Sequence, residues 1–421
     1  MKVLFVTPFL PYPPVSGGRV QTFLRLSNLK KRGNSVFLMT LGLPDDAGNV
    51  LALKKFLDDV ECIYARPDFS KARGVFRRSL LYEIYTYDRR FGETLRRFAR
   101  AKGIDVAVFE GLGVAQYRGD IPDVPSVLYE HNVEYEVIGQ LVAYLRKSPL
   151  KSVGGRADEI LRNLYLCIFG AREKGLVHSL ETTALKTFDM VMTCSERDAD
   201  ILKEEAPDVG PLTVPWGIEI PEKRWTPRKR EVRNIVFVGS MAWEPNRDAV
   251  TWFAGKIFPM VRQGAFDTRL VIAGSSMTRG IAGLDNGGDI IVEGFVEDIS
   301  KVFLDADVFI APVRFGSGVN VKILEAMSYG VPVVTTPKGA EGTGGRHGEH
   351  FIVARDEGEF ASAIGYLLEN AGARESLSAK GREYISEHHG IEKVIGVFED
   401  ALVSVVKKRE SLLSGKRVEI I

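Results

Sequence analysis

The stretch PVRFGSGVNVKILEAMSYGVPVVTT, residues 312–336, decides the fold. It follows the apolar run Val308–Ala311, and glycines at 316 and 318 open a tight loop. A helical period then runs from about Asn320 to Ser328, Gly330 ends it, and residues 331–335 read as the next buried strand. Continuous apolar strands separated by helices form parallel sheets covered on both faces, and ligands of such sheets sit beyond the carboxyl ends of the strands. The 316–318 loop lies at such an end. Its glycines let the backbone approach a ligand, and the start of the following helix is an anion site. Arg314 and Lys322 add two cations, one able to grip a phosphate bidentately and one a point charge. Glu325 shares a helix face with Lys322 and suits the hydroxyl pair of a ribose. The bland alternative is a tight loop with a helix salt bridge between the two.

The same alternation extends in both directions. Towards the N-terminus, apolar runs at 3–7, 36–41, 106–109, 126–129 and 190–193 alternate with helical segments such as 20–32, which stops at Gly33. Around the opening stretch, runs at 235–238, 269–273, 290–293 and 308–311 form a second series. Between the two lie five prolines (207, 211, 215, 221, 227) and the charged run 228–231, which is linker composition. The expected organisation is α/β throughout: a domain at 1–213, a hinge at 214–232, a second domain at 233–395, and a C-terminal helix and tail at 396–421 within reach of the first domain.

Composition allows this and excludes other classes. At about 150 residues per domain, 421 residues make two to three domains. With 45% apolar and 26% charged residues the chain is neither disordered nor collagenous. The net charge of +1 provides no global field for nucleic acid. Cys62, Cys167 and Cys194 are too few and too far apart for a disulfide framework or a zinc site, so a cytoplasmic location is expected. The first residues, MKVLFV, read as a strand rather than a signal peptide, and no run reaches the ~18 apolar residues of a membrane span. Between Arg66 and Lys102, 11 basic residues face four acidic ones with aromatics interleaved. That stretch reads as a solvated surface helix with a buried aromatic stripe, or else as a peripheral contact with anionic membrane.

The 312–330 segment resembles the donor-nucleotide motif of glycosyltransferase family 4, a GT-B group of retaining sugar transferases. The likeness continues through Phe237-Val-Gly239, residues 270–274 and 294–298, and in the first domain through Gly17-Gly18, residues 130–132 and 194–196. The resemblance implies two Rossmann-like parallel-sheet domains facing each other across a cleft that closes about the hinge. It implies a nucleotide-diphosphate sugar as co-substrate with no cofactor or metal, and a saccharide or lipid-linked acceptor. Glu325 corresponds to the second glutamate of the family's E-x7-E motif, which holds the ribose. Gly318, Val319, Asn320 and Val321 correspond to the turn around the pyrophosphate, and Val296 to a base contact. Gly239 and Ser240 correspond to the loop after the second domain's first strand. His131 corresponds to the histidine that meets the transferred sugar, and Gly17 and Gly18 to the acceptor-side loop.

Three positions depart from the family pattern. Ser317 stands where the first motif glutamate belongs, Ser240 and Pro245 where phosphate-binding Arg and Lys are usual, and Trp216 where Asn is common. A diphosphate without nearby cations loses several kcal/mol of electrostatic stabilisation, so Arg314 and Lys322 are expected to replace the missing pair. The expected activity is hexose transfer to a hydroxyl in cell-surface polysaccharide or glycolipid synthesis. The alternatives are a GT-B nucleotide-sugar epimerase, or a non-catalytic nucleotide-sugar-binding partner suggested by Ser317. Asp305-Ala-Asp307 and His347-Gly-Glu-His350 resemble metal ligands in spacing but lack further partners, and Gly316-Ser-Gly318 lacks the third glycine of a dinucleotide site.

Overall fold

The computed structural model describes residues 1–14, 16–65, 79, 86–147, 157–264 and 267–414. The chain forms two compact units, one of Met1–Val142, Tyr165–Pro215 and Glu392–Ile421, the other of Ala143–Leu164 and Trp216–Ile391.

The first unit is built on strands β1 (Lys2–Thr7), β2 (Ser35–Gly42), β3 (Asp59–Tyr64), β4 (Val106–Glu110), β5 (Ser126–Glu130), β6 (Met190–Thr193) and β7 (Leu212–Thr213). They lie in the order β3-β2-β1-β4-β5-β6-β7, and every pair is parallel. The order reverses between β1 and β4, where Phe5 is in register with Leu38 on one side and Val108 on the other. Val3 to Val6 are fully buried, which is why this run is apolar at every position rather than alternating. The C-terminal helix Ile391–Ser414 belongs to this unit: Phe398 packs on Phe5 and Tyr129, and Glu399 accepts from Asn34 and pairs with Arg32.

The second unit carries β8 (Val232–Val238), β9 (Asp267–Ala273), β10 (Ile290–Gly294), β11 (Val308–Ala311), β12 (Val333–Thr335) and β13 (Ile352–Val353), in the parallel order β10-β9-β8-β11-β12-β13. Its core joins Phe237 and Ile272 of the sheet to Phe253, Phe258 and Phe360 of the covering helices. The order reverses between β8 and β11, so the loops following these two strands flank the crevice where parallel sheets bind ligands.

Three strands escape the sequence pattern. β3 is partly exposed, and β7 and β13 are two residues long. β12 begins at Val333 rather than 331, because Pro332 has no N–H to give the ladder; its carbonyl instead accepts from Phe309 at 2.8 Å.

Candidate functional site

In the second unit, the segment after β8 and the loop after β11 are joined at three points. Gly316 faces Pro245: a methyl built on it would stand 3.4 Å from Pro245 Cγ, and its φ of 121° suits glycine alone. Lys322 Nζ donates to Asn246 Oδ1. Arg314 makes a two-pronged ion pair with Asp248, Nε to Oδ2 at 2.8 Å and Nη2 to Oδ1 at 2.6 Å, with its guanidinium 4.8 Å from the Trp252 ring centroid. Asn246, Asp248 and Trp252 come from the helix Glu244–Trp252, started by Pro245 in its first turn, where a missing N–H costs nothing. Close approach is also built in beneath the loops, since a methyl on Gly274 would fall 1.9 Å from the Gly239 carbonyl oxygen.

Lys322 sits at the reversal point itself. A methyl on Gly239 would stand 3.0 Å from Nζ, and the ammonium lies 4.5 Å from the Phe237 ring centroid. Glu325 follows one turn later on the helix Val321–Tyr329. The two share a helix face, yet among the described residues neither makes an ion pair within 4.0 Å, and the Glu325 carboxylate accepts no hydrogen bond from them. Both residues are half-buried. Burial lowers the Lys322 ammonium to about 7 despite the opposing charge of Glu325, and burial raises the Glu325 carboxyl to about 7 despite Lys322.

The two expected cations therefore differ. Arg314 is more than a third exposed at its side chain but spends two donors on Asp248, whereas the hydrogen-bond partner of Lys322 among the described residues is a neutral amide oxygen. Around them, Ser240 accepts through its carbonyl from Asn246 Nδ2 at 2.8 Å, and Asn320 Nδ2 donates to the Gly339 carbonyl at 3.0 Å. The amides of Val321 and Ile323 bond to the carbonyls of Val319 and Asn320. Ser317 and Gly318 are half-buried in the loop, and Val296 is half-buried just after β10, beside the exposed Phe295.

In the first unit His131 follows β5, with Nε2 2.5 Å from Glu110 Oε2 at the end of neighbouring β4. Arg25 grips the same carboxylate, Nε at 3.0 Å from Oε1 and Nη2 at 2.6 Å from Oε2, and stacks 4.1 Å from the Tyr129 ring centroid. Thr22 Oγ1 donates to Oε2 at 3.3 Å. Burial would raise the Glu110 carboxyl, but Arg25 and the hydrogen bond from His131 outweigh it and hold it at about 2. Gly17 and Gly18 start the helix that carries Thr22 and Arg25, and a methyl on Gly18 would stand 3.6 Å from His131 Nδ1. Cys194 Sγ lies 3.2 Å from the His131 carbonyl oxygen.

Other motifs have structural partners. Asp305 and Asp307 form a network with Arg228, Arg230 and Arg233. The Nδ1 atoms of His347 and His350 accept from the backbone of Val353 and Arg346. Trp216 is buried beside His389, whose Nδ1 lies 3.1 Å from the Trp216 carbonyl, while Ile218 bridges to Gly390. Of the basic 66–102 stretch, 66–78 and 80–85 lie outside the described residues. In the helix Arg89–Lys102, Phe91, Leu95 and Phe98 are buried within the unit, leaving the basic residues outermost. Among the described residues no helix is long and apolar enough to cross a membrane.

Residues 232–370 match the family model described as Glycosyl transferases group 1. A Klebsiella pneumoniae protein described as an uncharacterized 44.6 kDa protein in the cps region is 25% identical over 408 residues, 93% of this chain and 97% of its own. Sucrose-phosphate synthase from Thermosynechococcus elongatus has a TM-score of 0.71 at 13% identity, over 97% of this chain and 100% of that chain. Anabaena HepE in complex with UDP and glucose has a TM-score of 0.64 at 14% identity, over 96% of this chain and 100% of that chain. These likenesses give the two-sheet architecture its name, the GT-B fold. The matched domain on that fold defines a glycosyltransferase.

Proposed function

We propose that this glycosyltransferase moves a hexose from a nucleotide-diphosphate sugar to a hydroxyl of a saccharide or lipid-linked acceptor. The anomeric configuration is retained, and the product enters a cell-surface polysaccharide or glycolipid. The observation that carries the reading is the Lys322–Glu325 pair. A helix salt bridge would join them; instead a cation and a carboxylate stand apart at the sheet reversal, each without an ion-pair partner among the described residues. The cation meets the diphosphate and the carboxylate meets the ribose hydroxyls. Anabaena HepE was solved with UDP-glucose, and the Klebsiella pneumoniae relative is described as lying in a cps region, which favours the same substrate class and setting.

In this reading the backbone from Gly318 to Val321 lines the pyrophosphate, Gly239 and Ser240 border it, and Val296 borders the base. As the glycosidic bond to the donor breaks, negative charge grows on the departing diphosphate, where Lys322 is placed to stabilise it. Ser317 orients the sugar, and in the first unit Gly17 and Gly18 border the acceptor beside His131. The route proposed is front-face: the departing diphosphate oxygen takes the acceptor proton, and the acceptor oxygen forms the new bond on the face it leaves.

Glu325→Ala is expected to raise the donor KM about tenfold or more, through loss of charge-assisted hydrogen bonds to the ribose, with a smaller change in kcat. Steady-state kinetics with varied donor test this, and an unchanged KM would contradict the ribose assignment. Transfer in the same assay separates the transferase from an epimerase or a silent binding partner.

A further inference from the structure

In the first unit, β5 ends on Glu130, which is 1% exposed, and neither of its carboxyl oxygens has a hydrogen-bond partner among the described residues. Side chains alternate along a strand, so Glu130 lies on the sheet face opposite Tyr129. Arg25, which stacks on Tyr129 and grips Glu110, therefore serves the other face. The groups around Glu130 are acids from three helices: Glu181 of Ala157–Leu185, Glu134 of Glu134–Lys147 and Asp198 of Glu196–Glu205. Two of these have donors of their own. Glu181, fully buried, accepts from the amides of Glu134 at 2.8 Å and Tyr135 at 3.2 Å. Asp198 accepts from the Ser195 hydroxyl at 2.8 Å and has Arg197 Nη1 at 3.4 Å. Burial and the neighbouring Glu181, Glu134 and Asp198 push the Glu130 carboxyl well above the usual carboxylate range, and the Leu112 amide does not offset them. Burial raises the Glu181 carboxyl as well, but its two amide bonds oppose the rise, so Glu181 ionises before Glu130.

We propose that Glu130 is held as a neutral carboxylic acid inside the folded first unit, so that folding takes up one proton and the unit weakens as pH rises. An ionised carboxylate cut off from water and from donors is far more costly to bury than the neutral acid. In the unfolded chain this side chain is an ordinary glutamate and loses its proton above about pH 4.3. The folded unit keeps that proton, so it binds one more than the unfolded chain does, and the folding equilibrium weakens by up to about tenfold per pH unit. The loss ends where Glu130 itself ionises in the folded unit. Glu130 directly precedes His131, so the stored proton spares that strand end a further negative charge beside Glu110.

Glu130→Gln keeps the size and shape of the neutral acid and cannot ionise. Heat melting of the full chain, wild type against this variant, from pH 4.5 to pH 8.5 tests the proposal. The two midpoints should nearly coincide at the acid end and diverge as pH rises, with the variant about 5 °C or more higher at the alkaline end. Infrared spectra in D2O at neutral pH read the proton itself. The carbonyl stretch of one buried protonated carboxyl should be present in the wild type, absent from Glu130→Gln and still present in Glu181→Gln. Melting curves that keep a constant separation across the pH range, or a carboxyl band that Glu130→Gln leaves unchanged, overturn the proposal, and neither result touches the donor-site reading.

Discussion

Lys322→Ala is expected to lower kcat/KM for the nucleotide sugar by about 10²-fold or more, the usual cost of removing one group that stabilises leaving charge. The thermal midpoint should stay the same or rise. The two expectations separate function from structure because Lys322 has no carboxylate within 4.0 Å among the described residues, so removing it strands no counter-charge. Asn246 loses one hydrogen bond but keeps that to the Ser240 carbonyl at 2.8 Å. Arg314→Ala is the instructive contrast. It takes away the cation that grips Asp248, whose side chain is 1% exposed, and should therefore lower stability whatever it does to turnover. Kinetics and melting curves of both variants test the difference. A wild-type rate in Lys322→Ala, or a large loss of its stability, would move Lys322 from the donor site into the scaffold.

Arg25→Met is expected to destabilise the first unit by about 3–5 kcal/mol, because it leaves the Glu110 carboxylate buried without its cation. For a unit of this size that corresponds to a fall of about 10 °C in Tm. The side chains of Arg25 and Glu110 are 5% and 0% exposed, so solvent screening does little to reduce the effect. The double variant Arg25→Met/Glu110→Leu should recover much of the loss, since an apolar pair in the same space carries no stranded charge. Melting at a fixed scan rate checks both. A loss below about 1 kcal/mol in the single variant would mean that His131 and Thr22 alone satisfy Glu110.

The 312–330 loop and helix were readable because their information is local. Strand end, two glycines, helix and capping glycine lie within 19 residues, and the Lys322–Glu325 spacing puts both on one helix face. What these side chains touch was not readable. Arg314 has the same formal charge as Lys322, and only the fold brings Asp248 to it across 66 residues and thereby separates their roles. The Arg25–Glu110 pair, 85 residues apart, was missed for a related reason, although a signal existed. The helix Gly17–Lys31 buries Gln21, Thr22, Arg25 and Asn28, polar residues at helical spacing on its inner face. A polar stripe of that kind is ordinarily assigned to solvent, and it takes the adjoining Glu110 and His131 to show that it serves a buried cluster. The edge strands β3, β7 and β13 were lost because partial exposure or brevity removes the apolar run that identifies a central strand.

We propose that the crevice at the β8–β11 reversal binds a nucleotide-diphosphate sugar through Lys322 and Glu325. The most direct measurement is the thermal shift of the full chain with UDP, GDP, ADP, TDP and their sugar conjugates, repeated with Lys322→Ala and Glu325→Ala. A ligand present at 100 times its Kd adds roughly 2.7 kcal/mol to stability. A clear upward shift with one nucleotide and its sugar, strongly reduced in both variants, is the expected result. No shift across the panel, or a shift that both variants retain in full, would contradict it.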